Sequence, residues 1–296
     1  MHTRPFLLLL LIISIFPYAA RAFDDAQAHA IVLEGTPRAV KQLVDSGYDL
    51  DRVYQCKTLL TTAIQSAAYN PLYNEHPEYA LQKIQILLNA GANYNQDACP
   101  QHSLRPLFWA VTLPFQLRAN SQDILASVEK NIDDGIDYCD IPHLISKPCK
   151  EITPEEKETI REYINDLTTE AEKELNPYFA RIAKFLIQRG ANLDKKDEKN
   201  QTILHYLVSI KNESFLELLK YTLSKNIPAD PLNKEGYTPI FFAYGAQNPQ
   251  AANLLIEAGA NAARRDKDGY LPIHAHAVTF NNTSREDDSI DVVLEM

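Results

Sequence analysis

The stretch Asn233–Asn261 reads NKEGYTPIFFAYGAQNPQAANLLIEAGAN. A turn at Lys234, Glu235 and Gly236 leads to Thr238-Pro239, then to a short apolar run. A break near Gly245 to Pro249 separates this run from a second one, which ends at Gly259-Ala260-Asn261. The order predicts a turn, a short helix, a loop, a longer helix and a glycine stop. Thr238 can cap the first helix, and Pro239 suits its first position. Ala251, Ala252, Leu254, Leu255 and Ala258 give the second helix an apolar stripe, and Gly259 can take the left-handed conformation that ends it. Two helices this short bury too little surface alone, so the unit has to stack on copies of itself.

Copies are present. Gly236-Tyr237-Thr238-Pro239-Ile240 returns as Gly269-Tyr270-Leu271-Pro272-Ile273, 33 residues later. Thr202-Ile203-Leu204-His205 and Ile273-His274 fill the same slot. Helix stops recur at Gly47, Gly91, Gly135, Gly190 and Gly259. This pattern resembles the ankyrin repeat, whose period and T-P-L-H-x-A core match. The resemblance is strongest over residues 177 to 275. It implies an all-α solenoid of helix-turn-helix units with projecting hairpin fingers, about six to seven repeats over residues 23 to 296. It further implies a surface that binds other proteins.

Taken in order, residues 1 to 22 read as a signal peptide. Arg4 provides a positive start, Phe6 to Phe16 an apolar core, and Ala20-Arg21-Ala22 a small-x-small cleavage site. An uncleaved anchor is the alternative, although the run is short for a membrane span. The expected protein is exported to the periplasm, with secretion as the alternative, and has no stable membrane insertion. The formal net charge of −10 speaks against nucleic acid or anionic lipid as a partner; it is compatible with a basic partner, and equally with a charge that only keeps an exported protein soluble. Four cysteines, Cys56, Cys99, Cys139 and Cys149, suggest disulfides in an oxidising compartment. Of the three pairings, 56–99 with 139–149 is favoured, because 56 and 99 follow consecutive stops at matching places. A metal site of all four lacks any CxxC spacing.

Residues 26 to 51 read as a terminal repeat and 58 to 95 as a fuller one with a long inter-helix loop, Tyr69 to Pro77. A third repeat is expected from 105 to 139, its second helix marked by Ile124, Leu125, Val128 and Ile132 and its stop by Gly135. Stops at Gly47, Gly91 and Gly135 are each 44 apart. From about 140 to 176 the pattern departs. Thr153-Pro154-Glu155-Glu156 is a helix start, and Ile160, Ile164, Leu167 and Ala171 mark one face. Residues 151 to 174 carry nine Asp or Glu against Lys157, Arg161 and Lys173. This segment is either an irregular repeat's first helix or an inserted arm, and Asn176-Pro177 is expected to break it. Ile290, Val292, Val293 and Leu294 suggest a last helix that caps the stack.

Catalytic motifs are missing from the sequence: no G-x-S-x-G, phosphate-cradling glycine loop or H-E-x-x-H. The expectation is a protein that is not an enzyme, with no catalytic, cofactor-binding or metal-binding residue. His205 and His274 occupy the T-P-L-H position and are read as structural; Trp109, Tyr206 and Phe242 share a core slot. The resemblance places partner contacts on fingers and first-helix ends. These are Tyr54, Gln55, Gln65, Ser66, Gln101, His102, Thr112, Leu113, Glu198, Lys199, Gln201, Lys234, Glu235, Tyr237, Lys267, Asp268 and Tyr270. Tyr237 and Tyr270 hold one slot in neighbouring repeats. The function expected is one-to-one binding by a monomer, as a periplasmic immunity or inhibitor protein against a toxin or secretion-system effector. A scaffold or stress-protection factor, a secreted effector acting on host proteins, and an unrecognised hydrolase or metal-binding protein are the alternatives.

Overall fold

The computed structural model describes residues 23–67, 78–98, 105–115, 126, 130, 139–141, 145–147 and 151–275. The expected leader (1–22), the expected loop 69–77, Cys99, Gln101, His102, Ile124, Leu125, Val128, Ile132, Gly135, Cys149, His276 and the expected last helix lie outside these residues.

The fold is an all-α ankyrin solenoid. Its helices come in pairs. α1 (Asp25–Glu34) pairs with α2 (Pro37–Asp45), and α3 (Leu59–Gln65) with α4 (Glu78–Asn89). α5 (residues 106–115) follows. A two-stranded antiparallel hairpin, β1 (Cys139–Ile141) and β2 (Ile145–Lys147), comes next, with Asp140 opposite Ser146. Then come α6 (Pro154–Gln188), α7 (Ile203–Leu207) with α8 (Glu213–Leu223), and α9 (Pro239–Gly245) with α10 (Pro249–Glu257). Residues 272–275 open a further repeat.

Local sequence explains the starts and stops. Asp24, Thr36, Thr58, Thr153, Asn212 and Asn248 each accept a hydrogen bond from a backbone N–H in the first turn they cap. Proline stands in the first turn of α2, α6, α9 and α10. Left-handed residues end the second helices: Gly47, Gly91, Gly190 and Gly259, and also Asn226 at φ 58° after α8. Asparagine tolerates that conformation, so a search for glycine alone misses this stop.

First helices stack on first helices and second on second. α1 packs on α3, α7 on α9, α2 on α4, α6 on α8, and α8 on α10. One apolar core runs through the layer between them, from Ala28 and Val32 through Leu59, Ile84, Leu107, Phe179, Leu186, Phe215 and Ile240 to Leu255.

The third repeat departs from the sequence expectation. The finger that stacks on the one after Gly91 is the one after Gly190: the Asn192 N–H donates to Asn95 Oδ1 at 2.9 Å, and Gly190 lies against the Tyr94 hydroxyl. Arg181 pairs with Glu78, and Arg189 donates to Asn89, both on α4. α5 meets α7 through Phe108 and Phe115, whose rings contact Tyr206. The third repeat is therefore α5 completed by the last part of α6, and residues 116 to 174 are inserted between its two helices. Asn176-Pro177 does not break the chain; α6 runs for 35 residues through Pro177. The helix bond lost there belongs to the carbonyl of exposed Lys173, which water can reach. From Leu175 onward α6 joins the core, whereas residues 154–174 overhang by about 30 Å at 1.5 Å per residue. In the overhang, Ile160 is fully buried yet stands outside the core of the stack.

Candidate functional site: the finger edge

Three successive fingers share one backbone design. Asp197 exchanges hydrogen bonds with Gln201, its N–H reaching the Gln201 carbonyl at 2.9 Å and its Oδ1 accepting the Gln201 N–H at 2.7 Å. Asn233 does the same with Tyr237, and Asp266 with Tyr270. The short polar side chain supplies the acceptor that a tight turn needs. One residue of each turn is left-handed: Asn200, Gly236 and Gly269. Tyr54 and Lys57 close the earlier finger with a reciprocal backbone pair, and there two residues, Gln55 and Cys56, are left-handed.

Rungs tie each finger to the next. The N–H groups of Asn93, Asn192 and Asn261 donate to Asp51, Asn95 and Asp230 respectively. The Lys234 N–H donates to the Lys199 carbonyl at 2.8 Å, and the Lys267 ammonium reaches the Lys234 carbonyl. His205 joins a helix start to the following finger. Its Nδ1 accepts the Thr202 N–H at 3.0 Å, which leaves Nε2–H to donate to the Tyr237 carbonyl at 3.3 Å. Burial holds the imidazole neutral, with its pKa pushed down to about 4. His274 accepts the Leu271 N–H through the same ring nitrogen. Each ring thus holds a helix start, His205 from a buried position and His274 from an exposed one. In the slot between them Phe241 has no such acceptor, and the buried Thr238 hydroxyl is left without a partner.

The residues expected to touch a partner divide into three groups. Gln55, Glu198, Lys199, Lys234, Glu235, Lys267 and Asp268 are exposed on the fingers, and Tyr270 is 58 % exposed. Tyr54, Gln65 and Tyr237 are half-buried. Ser66, Thr112, Leu113 and Gln201 are buried within the chain and present no side chain to a partner. Ser66 and Thr112 turn back onto the helix carbonyls of Ala63 and Phe108. Tyr237 and Tyr270 share a setting: each ring rests on the ring four residues later, Phe241 at 5.1 Å and His274 at 5.9 Å. Burial and the carboxylates of Asp266, Asp268 and Glu235 raise the Tyr237 pKa. Trp109 and Phe242 are buried in the stack, and Tyr206 donates to Asp197 from beneath a finger. Val53, 42 % exposed beside Tyr54, is not singled out by sequence; nothing in its local pattern sets it apart.

Among the described residues, no group of three or more His, Cys, Asp or Glu is placed to hold a metal ion. No described helix is long and apolar enough to cross a membrane. Cys56 is exposed, and Cys139 sits in β1.

Residues 175–266 match the family model for ankyrin repeats in three copies, starting where α6 enters the stack. The ankyrin repeats matched over these residues indicate a protein-binding module. The chain is 27% identical over 197 residues to the probable 26S proteasome regulatory subunit p28 of Saccharomyces cerevisiae, covering 63% of this chain and 84% of that protein. It is 40% identical over 77 residues to the NAD-dependent deacetylase sir2B of Dictyostelium discoideum, covering 25% of this chain and 10% of that one. It is 30% identical over 105 residues to the human transient receptor potential cation channel subfamily A member 1, covering 35% of this chain and 9% of that one. The last two similarities span a small part of much longer proteins.

Proposed function

We propose that this chain is an exported protein that docks one partner protein on its finger edge, and that the partner is a toxin or secretion-system effector it neutralises. The carrying observation is the finger row. Three turns have the same backbone, locked by the same bonds, yet they present different exposed side chains: Glu198 and Lys199, Lys234 and Glu235, Lys267 and Asp268 with Tyr270. A surface already ordered before binding costs little entropy on association. Tyr270 offers the large amphipathic ring that dominates interface energetics. The apolar run Phe6–Phe16 and the small-x-small site support export, and the acidity supports a basic partner. A second reading, a subunit or scaffold in a larger assembly, is favoured by the similarity to a proteasome regulatory subunit over most of that subunit's length.

The test has two parts. Cell fractionation locates the protein, and the captured partner is assayed for activity with and without purified chain starting at Phe23. Periplasmic recovery and stoichiometric inhibition of a toxic activity support the proposal. A cytoplasmic chain that co-purifies with several subunits of one complex supports the scaffold instead.

A further inference from the structure

The outer surface where α6 and α8 lie side by side is opposite in sign to the chain as a whole. From Leu175 to its C-cap residue Arg189, α6 has no acidic residue and three basic ones, Arg181, Lys184 and Arg189, in a protein of net charge −10. Each of these cations lies on an aromatic ring. Arg181 is 5.7 Å from the centroid of Tyr178, and Arg189 is 4.9 Å from that of Phe185. Lys184 is 5.2 Å from the ring of Tyr221 on α8, and a second ammonium, Lys225, is 4.5 Å from that same ring. Cation–π contact holds these flexible side chains in place without neutralising their charge.

Among the described residues the acidic groups nearby are already paired. Glu78 pairs with Arg181 and offsets that one cation of the patch. Glu217 pairs with Lys220, and Glu213 and Glu257 also act on that lysine. Arg189 donates to the neutral amide oxygen of Asn89. Among the described residues, Lys184 and Lys225 form no ion pair, so two exposed ammoniums flank one half-buried tyrosine.

We infer that Lys184, Tyr221 and Lys225, flanked by Arg181 and Arg189, form a second docking surface, and that its occupant is an acidic polypeptide segment. Charge complementarity selects the occupant: carboxylates of the segment pair with the two unneutralised ammoniums. The net charge of −10 repels extended polyanions such as nucleic acid or an anionic membrane. A short acidic segment avoids most of that repulsion because it meets only the local patch. The surface lies on the second helices rather than on the fingers, and the inference depends neither on export nor on the finger edge as a site.

The probe is fluorescein-labelled hexaglutamate, followed by anisotropy with the full-length mature chain at low and at physiological salt. Saturable, salt-sensitive binding is expected. Lys184→Glu with Lys225→Glu should weaken it at least about tenfold. Lys41→Glu with Lys211→Glu changes the net charge equally at exposed sites elsewhere and should weaken it far less. All four lysines are exposed, and circular dichroism checks that both variants fold. Equal affinity for wild type and the Lys184/Lys225 variant, or an equal loss in both variants, overturns the proposal. Sedimentation distinguishes the remaining occupant. A wild-type dimer dissolved by the Lys184/Lys225 change means that the acidic overhang of a second copy fills the surface, which overturns an external partner.

Discussion

Replacing His205 by asparagine should uncouple the stack from acid. His205 is 1 % exposed and bridges the start of α7 to the next finger. An asparagine oxygen can still accept the Thr202 N–H, much as the Thr61 hydroxyl accepts the Thr58 N–H in the second repeat. The donor to the Tyr237 carbonyl is lost, and part of the ring volume with it. One lost hydrogen bond and a small cavity together cost about 2 kcal/mol at pH 7.5. The wild-type imidazole has its pKa lowered to about 4 from 6.5. Between those values the unfolded chain binds more protons than the folded one, so wild-type stability falls as pH falls. The full loss is about 3 kcal/mol, since a tenfold change in an acid dissociation constant corresponds to about 1.4 kcal/mol. Asparagine does not titrate, so the His205→Asn variant lacks this loss. Urea unfolding followed by circular dichroism from pH 7.5 to 4.5 reads the difference between the two proteins, which cancels the other titrating groups. The stability curves should converge and cross near about pH 5. A constant gap across this range, with unchanged m values, would refute the assignment of His205 as a neutral bridge.

Other expectations follow from individual contacts. Asn248→Ala removes a buried cap whose Oδ1 accepts the Ala251 N–H and whose Nδ2 donates to the Val208 and Ile210 carbonyls. It should cost about 3 kcal/mol in chemical denaturation. Lys83 is buried with its ammonium on the Val32 and Leu33 carbonyls at the end of α1, and burial lowers its pKa to about 8. The unfolded chain therefore holds more protons between pH 8 and 10.5. Relative to Lys83→Met, wild-type stability should rise over that window by at most about 3 kcal/mol, because the carbonyl contacts oppose the shift. A flat difference would count against the burial of Lys83. Pro177→Ala restores a helix bond inside α6 and should stabilise by about 1–3 kcal/mol, read as a higher thermal midpoint.

The sequence is most legible where each local signal agrees with its neighbours. In Asn233–Asn261 the turn glycine, the prolines in the first turns and the stop at Gly259 all describe the unit that the chain forms, α9 and α10, whereas Thr238 stands at the N-cap position without making the expected side-chain cap bond. The same signals mislead in the third repeat. Gly135 follows Gly91 at the interval that separates Gly47 from Gly91, yet the helix completing the repeat ends at Gln188, before the stop at Gly190. An insertion between two helices leaves the helix signals intact and displaces only their order. Asn-Pro suggests a break because proline removes one bond, but buried Phe179, Ile182 and Leu186 anchor the following turns. The β1–β2 hairpin has no alternating pattern long enough to announce it. At the candidate site the exposed finger tips are legible from their slot. Ser66, Thr112 and Leu113 are not, because their burial depends on how the first-helix ends fold against the stack.

The central claim, that a partner is bound through the finger edge, is tested most directly by a paired affinity capture. The chain from Phe23 onward and a variant of it carrying Lys234→Glu, Lys267→Glu and Tyr270→Ala are used as baits against extract from the source cells. Bound proteins are quantified by mass spectrometry. Recovery of one dominant protein by the wild type, depleted at least about tenfold with the variant, is the predicted result. Equal recovery by both baits, or several proteins in equal amounts, would contradict the account.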